Sequence, residues 1–146
     1  MPVFGPRSEE NLSQAHPALQ TVMRAAIART KQDFTVICGH RDKAGQEAAF
    51  RAKNTKVRYP NSAHNQTPSC AVDVIPYPFK GWNDKNIHKE LKAIADVVLA
   101  VAKELNIPVR WGADWNRNGR TDDETFVDSP HFELHPWRDF ATKRAA

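Results

Sequence analysis

Cysteine is scarce in this sequence and long apolar runs are missing, and each shortage removes a class of protein. Cys38 and Cys70 are too few for a disulfide framework. The N-terminal stretch MPVFGPRSEENL has no basic segment followed by an apolar core, so no signal peptide is expected. No apolar run approaches the roughly 18 residues that span a bilayer, which argues against stable membrane insertion. A chain without an export signal is made in a reducing cytoplasm, where both thiols stay free. Internal repeats and low-complexity tracts are also lacking, which excludes solenoids and arrays. The Lys and Arg residues are scattered and form no recognised nucleic-acid motif, so no nucleic-acid partner is expected.

What is present describes a folded protein with an anionic partner. Hydrophobic residues make up 40% and charged residues 26%, which supplies a core and argues against disorder. A length of 146 residues fits one core, so residues 1–146 are read as a single domain and a monomer. The formal charge of +4 favours polyanions, and on charge alone it would admit nucleic acid, anionic lipid and bacterial wall polymers.

Ser8 reads as the cap of a short helix through Glu9, Glu10 and Asn11, and Pro17 fits the first turn of a second that runs to about Thr30. In the second, Leu19, Val22, Met23, Ala26 and Ile27 recur at helical spacing and form a core face. Phe34 to Cys38 is a β-branched run closed by Gly39, hence a strand, and Lys43 to Lys53 follows as a helix. His40, Arg41 and Asp42 then occupy a strand-to-helix turn. Residues 54–69 are polar, contain Pro60 and Pro68, and read as loop, after which Cys70 to Ile75 is a buried strand ended by Pro76. Asn83 or Asp84 caps the longest predicted helix, with Ile87, Leu91, Ile94, Val97, Val98, Val101 and Leu105 on one side and Pro108 after it. Val109 to Trp111 and His131 to Leu134 are short strands separated by a polar loop, and a terminal helix starts at Trp137. The mixture predicts an α+β domain with a small, mostly antiparallel sheet flanked by helices.

A catalytic zinc site needs three protein ligands, drawn from His, Asp, Glu and Cys, and one open position. Three pieces supply such groups: Ser62-Ala63-His64, Ala71-Val72-Asp73 and Asp128-Ser129-Pro130-His131. A loop histidine is more often solvated than liganded, and Asp73 could merely end a salt bridge. Asp73 within an apolar strand is the informative residue, because an unpaired carboxylate there is costly and a cation removes the cost.

Together these pieces resemble the zinc peptidase family of D-alanyl-D-alanine carboxypeptidases and L-alanyl-D-glutamate endopeptidases, which shares its fold with the hedgehog signalling domain. The resemblance covers most of the chain. It rests on Cys38-Gly39-His40-Arg41 with Gln46 on the next helix, on SAHNQTPSCAVDV, on Trp111-Gly112-Ala113-Asp114-Trp115 and on DSPHFEL. It implies Zn2+ held by His64, Asp73 and His131, and Asp128 as the catalytic carboxylate. It further implies Arg41 as a cation for the oxyanion or a substrate carboxylate, Ser62 as a loop-shaping or substrate-contacting hydroxyl, and Gln46 as a substrate contact. His64 and Asp73 stand nine positions apart where the common pattern has seven, and Pro68-Ser69 replaces a glycine. This longer form is similar to the phage endolysin branch. The implied activity is hydrolysis of the L-alanyl-D-glutamate bond of bacterial peptidoglycan. The implied route is synthesis in the host cytoplasm and holin-type delivery to the wall and periplasm. A D-alanyl-D-alanine carboxypeptidase and an inactive zinc-containing wall-binding module are the alternatives, and Asp128 argues against the second.

His135 stands four positions after His131 and can face the same side of a strand, so it is the substitute ligand. His40 can line the cleft, while His16 and His88 have only capping or solvent-facing explanations. A second site is suggested by Asp114, Asn116, Asn118, Gly119 and Asp122, which match positions 1, 3, 5, 6 and 9 of a calcium-binding EF-hand loop; Arg120 at position 7 would offer its carbonyl. Position 12 is Thr125 in place of the usual glutamate, so Ca2+ is expected to bind weakly, with a hydrated hairpin loop as the alternative.

Overall fold

The computed structural model describes residues 2–124 and 126–142. In chain order the elements are α1 Pro6–Ser13, α2 Pro17–Arg29, β1 Phe34–Cys38, α3 Lys43–Arg51, β2 Ala71–Pro76, α4 Ile87–Glu104, β3 Val109–Trp111 and β4 His131–Leu134. Short 3₁₀ turns occupy Ala63–Asn65 and Trp137–Asp139. The strands lie in the order β1-β2-β4-β3 and each neighbouring pair is antiparallel, as expected of the α+β reading.

Alternation along the strands divides the sheet into a core face and a polar face. Val72 and Val74 of β2 and Phe132 and Leu134 of β4 join Leu19, Val22, Met23 and Ala26 of α2 and Leu91, Ile94 and Val98 of α4 in one cluster. Full burial of side chains of this size stabilises by about 1.5–3 kcal/mol each. The residues between them, Asp73, His131 and Glu133, necessarily fall on the other face. Register then sets those groups side by side. Asp73 is the cross-strand partner of His131 on β4 and of Cys38 on β1, and Arg110 of β3 is the partner of Glu133. The β1–β2 register shifts between Val36 and Cys38, a bulge that brings Cys38 opposite Asp73.

Several expected boundaries moved, each for a local reason. Ser8 is not a cap: α1 starts at Pro6 after Gly5, and the buried Ser8 hydroxyl accepts from the Val36 amide instead. Helix α4 begins at Ile87, because Asp84 closes a turn first, its carboxylate accepting from the Asn86 amide and its carbonyl from Ile87. Leu105 lies past the helix end and is half exposed. The helix expected from Trp137 is one 3₁₀ turn, with Trp137 and Phe140 packed onto Ala63, Cys70 and Ala71; residues 143–146 lie outside the described residues. Among the described residues no helix is long and apolar enough to cross a membrane.

Candidate active site

On the polar face three ligand-type atoms converge. His64 Nε2, Asp73 Oδ1 and His131 Nδ1 lie 3.2 Å from one another in all three pairings. An equilateral triangle of that edge is the face of a regular tetrahedron whose centre lies about 2.0 Å from each corner, and zinc takes nitrogen and oxygen ligands at about 2.0–2.2 Å. The donor set therefore fits a small tetrahedral cation.

His64 is the one member of this triangle that does not come from the sheet. Ser62 caps the 3₁₀ turn that carries it: the Ser62 hydroxyl accepts from the His64 amide, and the Asn65 side chain accepts from the Ser62 amide. Pro68 and Ser69, the residues of the longer spacing, are taken up against the α1–α2 junction. The Ser69 amide donates to Gln14 and its carbonyl accepts from His16, after which the Cys70 amide returns to Ala63. His64 is thus held over Asp73 despite the nine-residue separation.

Hydrogen bonding also fixes which nitrogen of each imidazole is free. His64 Nδ1 lies 2.7 Å from the Gly39 carbonyl, which only accepts, so Nδ1 carries the proton and Nε2 offers its lone pair. His131 Nε2 donates to Glu133 Oε1 at 2.7 Å, leaving Nδ1 free in the same way. Glu133 is itself held by Arg110 Nη2 at 2.8 Å. Such outer partners orient a liganding histidine and raise its basicity. Glu133 and Arg110 were not singled out from the sequence, although Glu133 stands two positions after His131 and must share its face.

The electrostatics of the cluster favour positive charge. Burial opposes a proton on His64, but Asp73 overrides it, with Cys38 helping, and raises the imidazole to about 10. Burial likewise opposes charge on His131, and Asp73 and Glu133 raise it to about 9 against His64. Asp73 pays for burial through its contacts with His64 and His131, which hold its carboxyl well below the ordinary range. Cys38 Sγ lies 3.9 Å from His64 Nδ1 and could join His64 and Asp73 around an ion.

Asp128 has an oxygen within 4.8 Å of the ligand atoms of Asp73 and His131. Burial raises its carboxyl above the usual value, opposed by His131, reinforced by Asp73, and opposed again by His64 and Arg41. Two tryptophans fix its loop: Trp111 Nε1 donates to Ser129 O at 2.7 Å and Trp115 Nε1 to Phe126 O at 2.8 Å. Gly112 lets the strands of this loop meet, since a Cβ there would stand 2.2 Å from Asp128 O. Arg41 joins the cluster through Nη2, 3.2 Å from Asp73 Oδ2, and Nη1, 3.2 Å from Gln46 Oε1.

Two expected substrate contacts take other parts. Gln46 is fully buried; its amide donates to Val57 O and accepts from Arg41 and Asn65, so it positions Arg41 and does not face the cleft. Ser62 spends its hydroxyl on the turn beneath His64, the loop-shaping alternative. His135 follows the last residue of β4 and is not among the converging atoms, so it does not substitute for His64. His40 is exposed, and His16 caps α2 through Nδ1.

The Asp114 loop closes on protein donors. Asp114 accepts from the amides of Asn118 and Gly119, Asp122 pairs with Arg120, and the Asn116 and Asn118 amides donate to Asp123. Among the described residues, the acidic groups of this loop do not converge as a metal-ligand set, and Thr125 lies outside them. The geometry gives no support to calcium and matches the hairpin alternative.

Comparison with known proteins agrees with this site. The sequence pattern of the family described as phage L-alanyl-D-glutamate peptidase matches residues 2–135. The L-alanyl-D-glutamate peptidase of Escherichia phage T5 is 35% identical over 134 residues, covering 90% of this chain and 96% of that protein. The crystal structure of the Serratia marcescens L-Ala D-Glu endopeptidase ChiX has the same fold, with a TM-score of 0.73 and 33% identity, over 94% of this chain and 93% of that one. By sequence and by fold, the chain belongs to the phage L-alanyl-D-glutamate peptidase family.

Proposed function

We propose that this chain is a zinc-dependent endopeptidase that hydrolyses the L-alanyl-D-glutamate bond in the peptide stems of peptidoglycan. The observation that carries the proposal is the 3.2 Å triangle of His64, Asp73 and His131 beside a buried Asp128, in a chain of this family. His64, Asp73 and His131 would hold the zinc, which would supply Lewis acidity to the scissile carbonyl and to the attacking water. Asp128 accepts the proton of the attacking water and returns it to the leaving amine, a task suited to a carboxyl whose burial has raised its basicity. Arg41 has N–H donors beyond the two spent on Asp73 and Gln46 and lines the cleft, where it stabilises the oxyanion. Glu133, backed by Arg110, keeps His131 in the liganding tautomer.

The same reading makes residues 1–146 one catalytic domain that acts as a monomer. The protein is made in the host cytoplasm and passes to the wall with the help of a holin-type protein. Its net charge of +4 assists attraction to anionic wall polymers. The test is digestion of purified peptidoglycan followed by mass spectrometry of the new termini, with and without a chelator. Chelator-sensitive appearance of D-glutamate amino termini is expected. Release of D-alanine alone would establish the carboxypeptidase alternative, and no new termini with zinc-loaded protein would establish the binding-module alternative.

A further inference from the structure

The cleft has two lobes that meet at Arg41, Phe126 and Asp128, which line both. One lobe, of about 290 Å³, includes Lys56, Arg110 and Trp115. The Lys56 ammonium lies 5.4 Å from the centre of the Phe126 ring and has no carboxylate partner among the described residues. Arg41 is paired with Asp73, and Arg110 with Glu133 and Trp115 O although its Nε is left without a partner, so among the described residues Lys56 is the cation of that lobe with no carboxylate partner. The other lobe, of about 540 Å³, has an apolar wall of Ile37, Ile87, Leu91 and Val127 closed by Trp82, with Lys53 and His88 as its further basic groups. Trp82 is 54% exposed and held in place by Phe79, whose ring centroid is 5.1 Å away at 67°. An exposed indole supported in this way adds little to the core and offers a large flat face beside the catalytic carboxylate.

Resting on the L-alanyl-D-glutamate reading above, we infer that the Trp82 lobe binds the muramic acid sugar that carries the stem peptide, and the Lys56 lobe the D-glutamate side. The stem is attached through its L-alanine nitrogen to the lactyl group of N-acetylmuramic acid, and D-glutamate carries a free α-carboxylate next to the scissile nitrogen. One residue spans about 3.3–3.6 Å and the lactyl group adds about as much again, so the sugar lies about 7 Å from the scissile carbonyl and the carboxylate on the opposite side of the bond. A carboxylate is matched by the uncommitted Lys56. The apolar C–H face of a sugar is matched by the indole of Trp82 and by no group in the Lys56 lobe with comparable exposure. The two lobes therefore accept the substrate in one direction.

The test compares N-acetylmuramyl-L-Ala-D-Glu-L-Lys with N-acetyl-L-Ala-D-Glu-L-Lys, which differ in the sugar. The wild-type kcat/KM should favour the sugar-bearing substrate by roughly 3- to 10-fold, the worth of one aromatic contact. Trp82→Ala should bring that ratio near one, and Trp82→Phe should keep most of it. Trp82 is exposed, so both variants should fold, which circular dichroism checks. A wild-type ratio of one, or a ratio undiminished in Trp82→Ala, overturns the sugar assignment while leaving the bond assignment intact. Failure to cut either substrate between L-alanine and D-glutamate removes the bond assignment and this inference with it.

Discussion

Replacing Gly112 by alanine should cripple turnover more than it destabilises the fold. The added Cβ would stand 2.2 Å from Asp128 O and 3.0 Å from the His131 Cβ, and real contacts of the first kind stay above 3.0 Å. In a close-packed interior the two backbone segments must then part by about 1 Å. The Asp128 amide donates to the Gly112 carbonyl at 2.8 Å and the His131 amide to the Asp128 carbonyl at 3.0 Å, so the displacement is delivered to Asp128 and His131 together. A misplacement of about 1 Å at a reacting centre costs on the order of 10²-fold in rate. Overpacking of this kind costs about 1–3 kcal/mol of stability, which for a chain of this length lowers Tm by roughly 2–12 °C. The assay is the initial rate of peptidoglycan cleavage, with Tm and bound zinc measured on the same preparation. Gly5→Ala is the control, because its Cβ would meet nothing within 4 Å. A Gly112→Ala protein that turns over like wild type would refute the claim that this contact sets the position of Asp128.

Asp128→Asn should keep zinc and fold while losing about 10²–10⁴-fold in hydrolysis, the range for removal of a general base; single-turnover assays beside metal analysis check it. Glu133→Gln should weaken zinc binding by about 10- to 100-fold, because the carboxylate partner of His131 is lost; competition with a chromophoric chelator measures this, and unchanged affinity would reject Glu133 as a positioning residue. Arg41→Lys should lower activity by roughly 10- to 100-fold with zinc content unchanged, since one ammonium cannot keep both the Asp73 and Gln46 contacts. Zinc binding to the metal-free protein should release protons at pH 7, because contact with Asp73 raises both His64 and His131 and any proton held between the facing nitrogens must leave before they can bind. Affinity should accordingly rise with pH up to about 9, and calorimetry in buffers of different ionisation enthalpy counts the protons. Cys70, fully buried and raised to about 11 by burial and Glu133, should resist iodoacetamide at pH 8 until the chain is denatured.

Legibility in the sequence followed the range of the interaction concerned. The α2 face, β1, β3 and β4 were legible because each depends on local periodicity and on Pro or Gly at its ends. Asp73 was legible as a carboxylate misplaced in an apolar strand, and its partners across the sheet supply the reason. Ser8 misled because its hydroxyl answers to Val36, 28 positions away, and the same residue type serves equally well at a helix cap. Gln46 misled in the same way: its place on the helix after Arg41 was visible, but its burial depends on Val57 and Asn65 closing over it. The Asp114 loop has the spacing of a calcium site, yet spacing does not say whether carboxylates meet an ion or backbone amides, and here Asp114 is spent on Asn118 and Gly119.

The register of β2 on β4 ties activity to stability more tightly than any single side chain does. Asp73 faces His131 while Val72 faces Phe132, so one pairing both brings together two of the proposed ligands and fills the core. A slip of β2 by one residue would turn Val72 and Val74 to the polar face and drive Asp73 into the core, where an unpaired carboxylate would cost several kcal/mol. The core therefore opposes the one-residue slip that would take Asp73 away from His131. The proposed ligand outside this protection is His64, which donates to the Gly39 carbonyl and the Ser62 hydroxyl on a loop anchored by the Ser69 contact with Gln14. Loosening of the site should for that reason begin in the 62–69 loop, with His64 leaving before Asp73 and His131 separate. Hydrogen exchange should find the His64 amide, whose acceptor is only the Ser62 hydroxyl, opening well before the Val74 amide of β2, and equal protection of the two would mean that the loop and the sheet open as one unit.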